Sequence, residues 1–317
     1  MDKRQLGKNG PLLTTIGFGA WAIGGPWQFG WGKVDDNVSI KAIHAALDNG
    51  INWIDTAAVY GFGHSEKVVG SALKGIRGNV FLATKCGLVN DGFGNAINNL
   101  DPKSIRNEIE ESLKRLQTDY IDLYQIHKPD PKVPVEDSWG TLVELKKEGK
   151  TKFIGVSTYD VPLLKKCMKI EQVQSLQPPY SMLKCDYEES IFPYCLKNNI
   201  GVVAYSPMQA GLLSGKFDIN KLAEDDWRRK NFFFQEPFLS KALALVEKLK
   251  PIAKKFGRTV GQLAIAWVLK NPAITSAIVG ARTAEQCREN IKAADYILSE
   301  DEMEEINNYL EEFQLLS

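Results

Sequence analysis

The feature that most constrains the fold is an alternation: a short apolar segment followed by an amphipathic helical one, repeated eight times without a compositional break. Segments 15–20, 52–56, 80–84, 120–126, 151–157, 175–177, 201–205 and 275–279 read as strands. Their partner helices read as 36–49, 65–73, 104–116, 135–148, 161–168, 187–198, 260–269 and 284–293. The sixth strand is the weakest, because Pro178 and Pro179 follow at once and proline cannot donate to a sheet ladder. Parallel strands need a helical crossover, so eight such units predict an α/β protein of one domain over 1–317, a closed (β/α)8 TIM barrel. Ahead of the first unit, 4–7 and 11–13 flank Lys8-Asn9-Gly10, and Asn-Gly favours an N-terminal β-hairpin. Beyond the last unit, 301–313 reads as an extra C-terminal helix. A doubly wound sheet is the competing architecture, but Gly17-Phe18-Gly19 leads into tryptophan and not into a G-x-G-x-x-G turn.

With 317 residues and 44% hydrophobic content, the chain can bury a core of this size. Basic and acidic residues balance at 39 each, so no global field favours nucleic acid or an anionic membrane. No apolar run approaches the roughly 18 to 20 residues that span a bilayer. The polar start, Met1-Asp2-Lys3-Arg4, lacks the apolar core of a secretory signal. Five scattered cysteines without a C-x-x-C pair read as reduced thiols of a cytoplasmic protein, not as a metal site. Cys86, directly after Lys85, is either a reactive thiol or a small buried hydrophobe.

Three strands end on polar groups. Trp53-Ile54 closes on Asp55, 80–84 runs into Lys85, and 120–126 runs into His127. Tyr60 follows Asp55 in a loop bounded by Gly61 and Gly63. Singly, each has an ordinary reading: Asp55 as a turn or cap, Tyr60 as a loop aromatic, Lys85 as a snorkelling amine, His127 as a capping residue beside Pro129. In a barrel, however, strand ends and the loops after them build the active site. The loops 21–35, 87–102 and 208–240 are long enough to do so.

These residues carry a resemblance. Gly50-Ile51-Asn52-Trp53-Ile54-Asp55-Thr56-Ala57 with Tyr60-Gly61, the run from Asp119 to His127, Tyr205-Ser206-Pro207-Met208 through Lys216, and Val279-Gly280-Ala281-Arg282-Thr283 through Asn290 resemble the aldo-keto reductase family. The matches lie in order along almost the whole chain, and Gly-Ala-Arg before the last helix is similar to a bacterial branch of it. The resemblance implies a (β/α)8 barrel that reduces carbonyls with a nicotinamide cofactor. It implies Tyr60 as general acid, Lys85 and Asp55 as its charged partners, and His127 as a substrate-orienting group. The residue types suit that chemistry. Negative charge develops on the carbonyl oxygen and needs a proton donor within reach. A free phenol has a pKa near 10, which a neighbouring ammonium should lower, and Asp55 should keep that ammonium charged.

By the same resemblance, Tyr205 stacks on the nicotinamide, while Ser157 and Gln177 bond its carboxamide, with Trp21 and Asp55 beside it. The family usually has Asn after that serine; here Thr158 leaves the second carboxamide contact open. Ser206, Pro207, Leu212, Ser214 and Lys216 line the pyrophosphate. Arg228 either closes over the phosphates or is a solvated surface arginine. Gly280, Ala281, Arg282, Thr283, Gln286 and Asn290 sit at the adenosine end. The family's lysine-serine pair before the last helix is replaced by Gly280-Ala281, so phosphate binding leans on Arg282, and NADPH (NADP+) is expected over NADH.

The expected substrate is a small-molecule carbonyl carrying apolar bulk, walled by Trp21, Trp27, Phe29, Trp31, Phe93 and 232–234. The expected state is a monomer or weak homo-oligomer. Two other functions fit the same residues: a cofactor-sensing regulatory binding protein, or a lyase using Lys85 as a Schiff base. Nothing in the sequence depresses the Lys85 pKa, which counts against the lyase.

Overall fold

The apolar segments close into a parallel barrel in a computed structural model that describes residues 1–316. An antiparallel hairpin, β1 (Lys3–Gln5) and β2 (Leu12–Thr14), precedes it. The first barrel strands are β3 (Ile16–Gly19), β4 (Trp53–Asp55) and β5 (Phe81–Cys86). A second hairpin follows, β6 (Leu88–Asn90) and β7 (Ala96–Asn98). The barrel continues through β8 (Ile121–Ile126), β9 (Thr151–Ser157), β10 (Ser175–Gln177), β11 (Gly201–Ala204) and β12 (Ile274–Gly280). Each barrel strand pairs with the next in the chain, and β12 closes on β3. The weak sixth strand is present as three residues, β10.

Strand periodicity divides the interior from the outside. Trp53, Ala83, Leu123, Val203 and Ile278 point into the barrel and form one cluster with Leu6 and Leu13 of the first hairpin. That hairpin plugs the N-terminal end of the barrel. Arg4 donates to the carbonyls of Ile274 at 2.6 Å and Leu269 at 2.9 Å, and the Gln174 amide donates to the Leu6 carbonyl. Gly17 exists to admit the Trp53 indole: a Cβ there would sit 2.0 Å from the ring. The Trp53 N–H is satisfied by Ser276 Oγ at 3.0 Å.

The helices α1 (Asp36–Asp48), α2 (His64–Ala72), α3 (Pro102–Leu116), α4 (Val135–Lys147), α5 (Val161–Met168) and α6 (Ile191–Lys197) cover the outside of the barrel with the larger apolar cluster. Next comes α7 (Phe238–Lys255), then α8 (Val260–Lys270), α9 (Ala284–Ile291) and α10 (Glu300–Leu316). The caps follow the sequence: Asp35 caps α1, Asp101 caps α3, and Thr259 with Gln262 forms a capping box on α8.

Two segments read as loops are ordered otherwise. The stretch 87–102 holds the β6–β7 hairpin, whose turn is tied by Asp91 Oδ1 accepting from Phe93 N at 2.7 Å and Asn95 N at 3.0 Å. The stretch 208–240 holds short 3-10 turns at Gln209–Ser214, Ile219–Lys221, Trp227–Lys230 and Phe232–Phe234. From Phe238 follows α7, an 18-residue helix that the sequence reading missed. The sixth helix is also shorter than expected, because residues 186–190 form turns before α6. Among the described residues, no helix is long and apolar enough to cross a membrane.

Candidate active site

The strand register brings the three polar strand ends together. Asp55 ends β4 and faces Ala83 of β5, while Lys85 faces Gln125 of β8, two residues before His127. Lys85 Nζ donates to Asp55 Oδ1 at 2.6 Å, to the Thr56 carbonyl at 2.9 Å and to Tyr60 Oη at 3.2 Å. All three ammonium hydrogens are therefore used. The second oxygen of Asp55 accepts from Gln177 Nε2 at 2.8 Å. The rings of Tyr60 and His127 meet edge to face with centroids 5.7 Å apart.

Burial sets the charge states. It lowers the Lys85 pKa, against the opposing pull of Asp55 and Glu66, and raises that of Asp55, against Lys85 and Gln177. The expectation that Lys85 is not depressed is thus corrected: desolvation outweighs its partner's charge. The phenol of Tyr60 is pushed well up, first by burial and then by the Asp55 charge. This corrects a second expectation, that Lys85 lowers it. A buried phenolate loses its hydration, and Asp55 offsets the ammonium, so Tyr60 holds its proton. Burial, with Lys85 and Lys128 adding, drives His127 well below the usual imidazole range and keeps it neutral. A neutral ring still carries one N–H to offer.

A cavity of about 780 Å3 opens on this cluster at the C-terminal face. Asp55, Tyr60 and His127 line it, as do Trp21, Ser157, Gln177 and Tyr205. Ser206, Pro207, Ser214 and Lys216 continue the wall, and Gly280, Ala281, Arg282, Gln286 and Asn290 form its far end. Four predicted residues lie off the cavity wall. Lys85 sits behind Asp55 and Tyr60, 1% exposed. Leu212 is fully buried in the core. Thr283 is the N-cap of α9, accepting from Gln286 N. Arg228 is not solvated: it forks onto Asp226 at 2.9 and 2.7 Å, lies over the Trp31 ring at 4.4 Å and donates to the carbonyl of the cavity-lining Ala210 at 3.3 Å.

The details at each end matter for chemistry. Thr158 has φ +57°, a left-handed conformation that favours Asn over a β-branched residue, and its hydroxyl donates to the Ser157 carbonyl at 2.8 Å. Ser206, Gln209, Ala210 and Gly211 also have positive φ, from +46° to +94°. Such turns direct successive N–H groups to one side, as anion-binding loops do. Arg282 is exposed; its N–H donates to Gln286 Oε1 at 2.8 Å and its guanidinium to the Lys33 carbonyl at 3.2 Å. Asn290 Nδ2 donates to the Gly280 carbonyl at 3.2 Å.

The aromatic wall differs in part from expectation. Trp27, Phe29, Trp31, Phe233 and Phe234 line the cavity. Phe93 stands 91% exposed at the hairpin tip, and Phe232 is 67% exposed against Phe233 and Phe238. The sequence reading missed Trp227, Lys128, Lys184 and the hairpin residues Leu88 and Ala96, all of which line the cavity. Trp227 carried a usable signal, since it sits between Asp226 and Arg228 in a long post-strand loop.

Residues 15–311 match the Aldo/keto reductase family. Aldo-keto reductase YhdN of Bacillus subtilis (strain 168) is 39% identical over 316 residues, which cover 98% of this chain and 94% of that protein. The NADH-specific methylglyoxal reductase of Escherichia coli (strain K12) is 36% identical over 315 residues, 95% of each chain. Among solved structures, glycerol dehydrogenase AKR11B4 from Gluconobacter oxydans matches with a TM-score of 0.88 and 36% identity, covering 98% of this chain and 95% of its own. Members of this family are oxidoreductases of carbonyls that use nicotinamide cofactors. The barrel, its strand-end cluster and these matches together place the chain in the Aldo/keto reductase family.

Proposed function

We propose that the protein reduces an aldehyde or ketone to the alcohol with NADPH, Tyr60 acting as general acid. The observation that carries this reading is the bond from Lys85 Nζ to the Tyr60 hydroxyl at 3.2 Å, at the wall of a cavity also lined by His127. Tyr60 holds a proton until negative charge develops on the carbonyl oxygen, then gives it up. Lys85 lies against the phenol oxygen and balances the charge left there; Asp55 holds Lys85 in place. Neutral His127 offers an N–H to the same carbonyl and limits its orientations. The tryptophans and phenylalanines of the wall exclude water, which strengthens each of these interactions.

The donor set fits a dinucleotide of this kind. Ser157, Gln177 and Tyr205 would hold the nicotinamide; the turn from Ser206 through Ser214 and Lys216 would hold the pyrophosphate. Arg282, with the N-terminus of α9 and Gln286, would hold a 2′-phosphate, and Asn290 the adenine. When bound, the reduced nicotinamide supplies the hydride. Five free thiols, four of them buried, support a cytoplasmic setting.

Depletion of reduced cofactor, followed with a panel of aldehydes and ketones and with NADPH and NADH in parallel, tests the reading. Turnover with NADPH preferred is the expected result. Binding without turnover would select the sensor, and trapping of substrate on Lys85 by borohydride would select the lyase. Preference for NADH, as the name of the Escherichia coli relative records for that protein, would overturn the cofactor assignment alone.

A further inference from the structure

Two residues past Lys85 the chain leaves β5 through Gly87 and enters the β6–β7 hairpin, whose Leu88 and Ala96 line the cavity. The root of that hairpin is tight. Gly87 has φ +90°, and a Cβ there would lie 2.3 Å from Leu100 Cδ2, so only glycine fits. Its carbonyl accepts from Asn99 N at 3.1 Å, which closes the base of the hairpin. Its N–H donates to Glu108 of α3, whose two oxygens accept at 3.1 and 3.2 Å. Ser104 Oγ donates to the same carboxylate at 3.4 Å.

We propose that Glu108 is a positioning residue for carbonyl reduction: through its bond from the Gly87 N–H it fixes the root of the β6–β7 hairpin, and with it the substrate wall at Leu88 and Ala96. This rests on the reductase reading above.

The surroundings make ionisation a matter of small pH changes. From α2, the fully buried Glu66 faces this region and is held by Thr84 Oγ1 at 2.6 Å and Arg115 Nε at 2.7 Å. From β5 and β8 come the Cys86 thiol and the Tyr124 phenol, both pushed well up by burial and so neutral. Burial raises the Glu108 pKa to about 7, with Glu66 adding; the Gly87 N–H, Ser104 and Arg115 oppose. Glu108 therefore changes charge near neutrality. Its ionised form accepts a charge-assisted bond from Gly87. The raised pKa means that this bond only partly offsets the cost of burying the charge, so the closed root is favoured by the protonated form. His127 is held neutral by burial, so its own charge does not move in the same interval.

Two readouts test the proposal in the intact protein at pH 6 and pH 8. One is the protection factor of amides 87–98 by hydrogen exchange; the other is KM and kcat at saturating cofactor. In the wild type, protection should fall and KM rise toward pH 8 by roughly three- to tenfold, as the buried carboxyl ionises through its raised pKa, with kcat nearly constant. Glu108→Gln keeps an acceptor that cannot ionise, so both slopes should flatten at their pH 6 level. Glu108→Asp should restore a slope. A flat wild-type protection profile overturns the proposal without any variant, as does a Glu108→Gln protein that keeps the wild-type slopes. Hydrogen exchange needs no turnover, so an absence of carbonyl reduction would sink the reductase reading while leaving the role of Glu108 at the hairpin decided separately.

Discussion

Replacing Lys85 by Met removes a buried charge while nearly preserving length, so the consequence is electrostatic and not a cavity. The ammonium is 1% exposed and serves three acceptors, the nearest being Asp55 Oδ1 at 2.6 Å. Its loss leaves the Asp55 carboxylate buried with only the Gln177 N–H at 2.8 Å. Breaking one side of a buried pair costs about 3–5 kcal/mol. The remaining Gln177 bond places this case near 3 kcal/mol at pH 8. The penalty should depend on pH with a definite sign. Burial already raises the Asp55 pKa above its unfolded value of 3.8, and removing Lys85 raises it further. A group with a raised folded pKa contributes stability that is present below the unfolded value and lost as pH climbs through the folded one. The variant should therefore be penalised less at pH 5 than at pH 8, because lower pH moves Asp55 toward its neutral form. Urea unfolding at both values measures this, and adding Asp55→Asn should recover at least about 1 kcal/mol through coupling. Turnover of the folded variant should fall by roughly 10²–10⁴, because Tyr60 loses the cation that balances its charge. A penalty below about 1 kcal/mol, equal at both pH values and additive with Asp55→Asn, would refute the buried-pair account.

Arg282→Ala should weaken NADPH about ten- to a hundredfold and leave NADH nearly unchanged, since a charge-assisted bond is worth roughly 1.5–3 kcal/mol. Titration of both cofactors by tryptophan fluorescence measures it, and equal losses would remove Arg282 from cofactor choice. Thr158→Asn places a residue tolerant of left-handed backbone at φ +57° and should stabilise the fold by about 0.5–1 kcal/mol in urea unfolding. A destabilised Thr158→Asn protein would mean that the hydroxyl bond to the Ser157 carbonyl outweighs the backbone strain.

The barrel was legible because each strand and helix carries its own period, and short connections leave consecutive units few ways to pair. The strand ends were legible for the same reason: once Asp55, Lys85 and His127 close parallel neighbours, their common face follows. What escaped lies in the long insertions. Helix α7 has apolar residues at Phe238, Leu239, Ala242, Leu245, Val246, Leu249, Ile252 and Ala253, a helical spacing that was available. It was masked by the Phe232-Phe233-Phe234 run before it and by Pro251 within it. The β6–β7 hairpin is tied by Asp91 in a glycine-rich loop, which carries little hydrophobic pattern. Charge states were the least legible part. Composition names the partners of Tyr60 and Lys85 but not their depth, and burial reversed both expected shifts. Arg228 shows the same limit, since its Asp226 fork and Trp31 contact depend on how two loops fold over each other.

The central claim is that the Tyr60 hydroxyl delivers the proton. Tyr60→Phe removes one of the three acceptors of Lys85 and nothing else from the pair with Asp55. Turnover at saturating NADPH and carbonyl, set beside cofactor binding read from the tryptophans at 21, 27, 31 and 227 that line the cavity, isolates that hydroxyl. The account predicts unchanged NADPH affinity with turnover lower by roughly 10²–10⁴. A folded Tyr60→Phe protein that binds NADPH and turns over within about tenfold of wild type would contradict it.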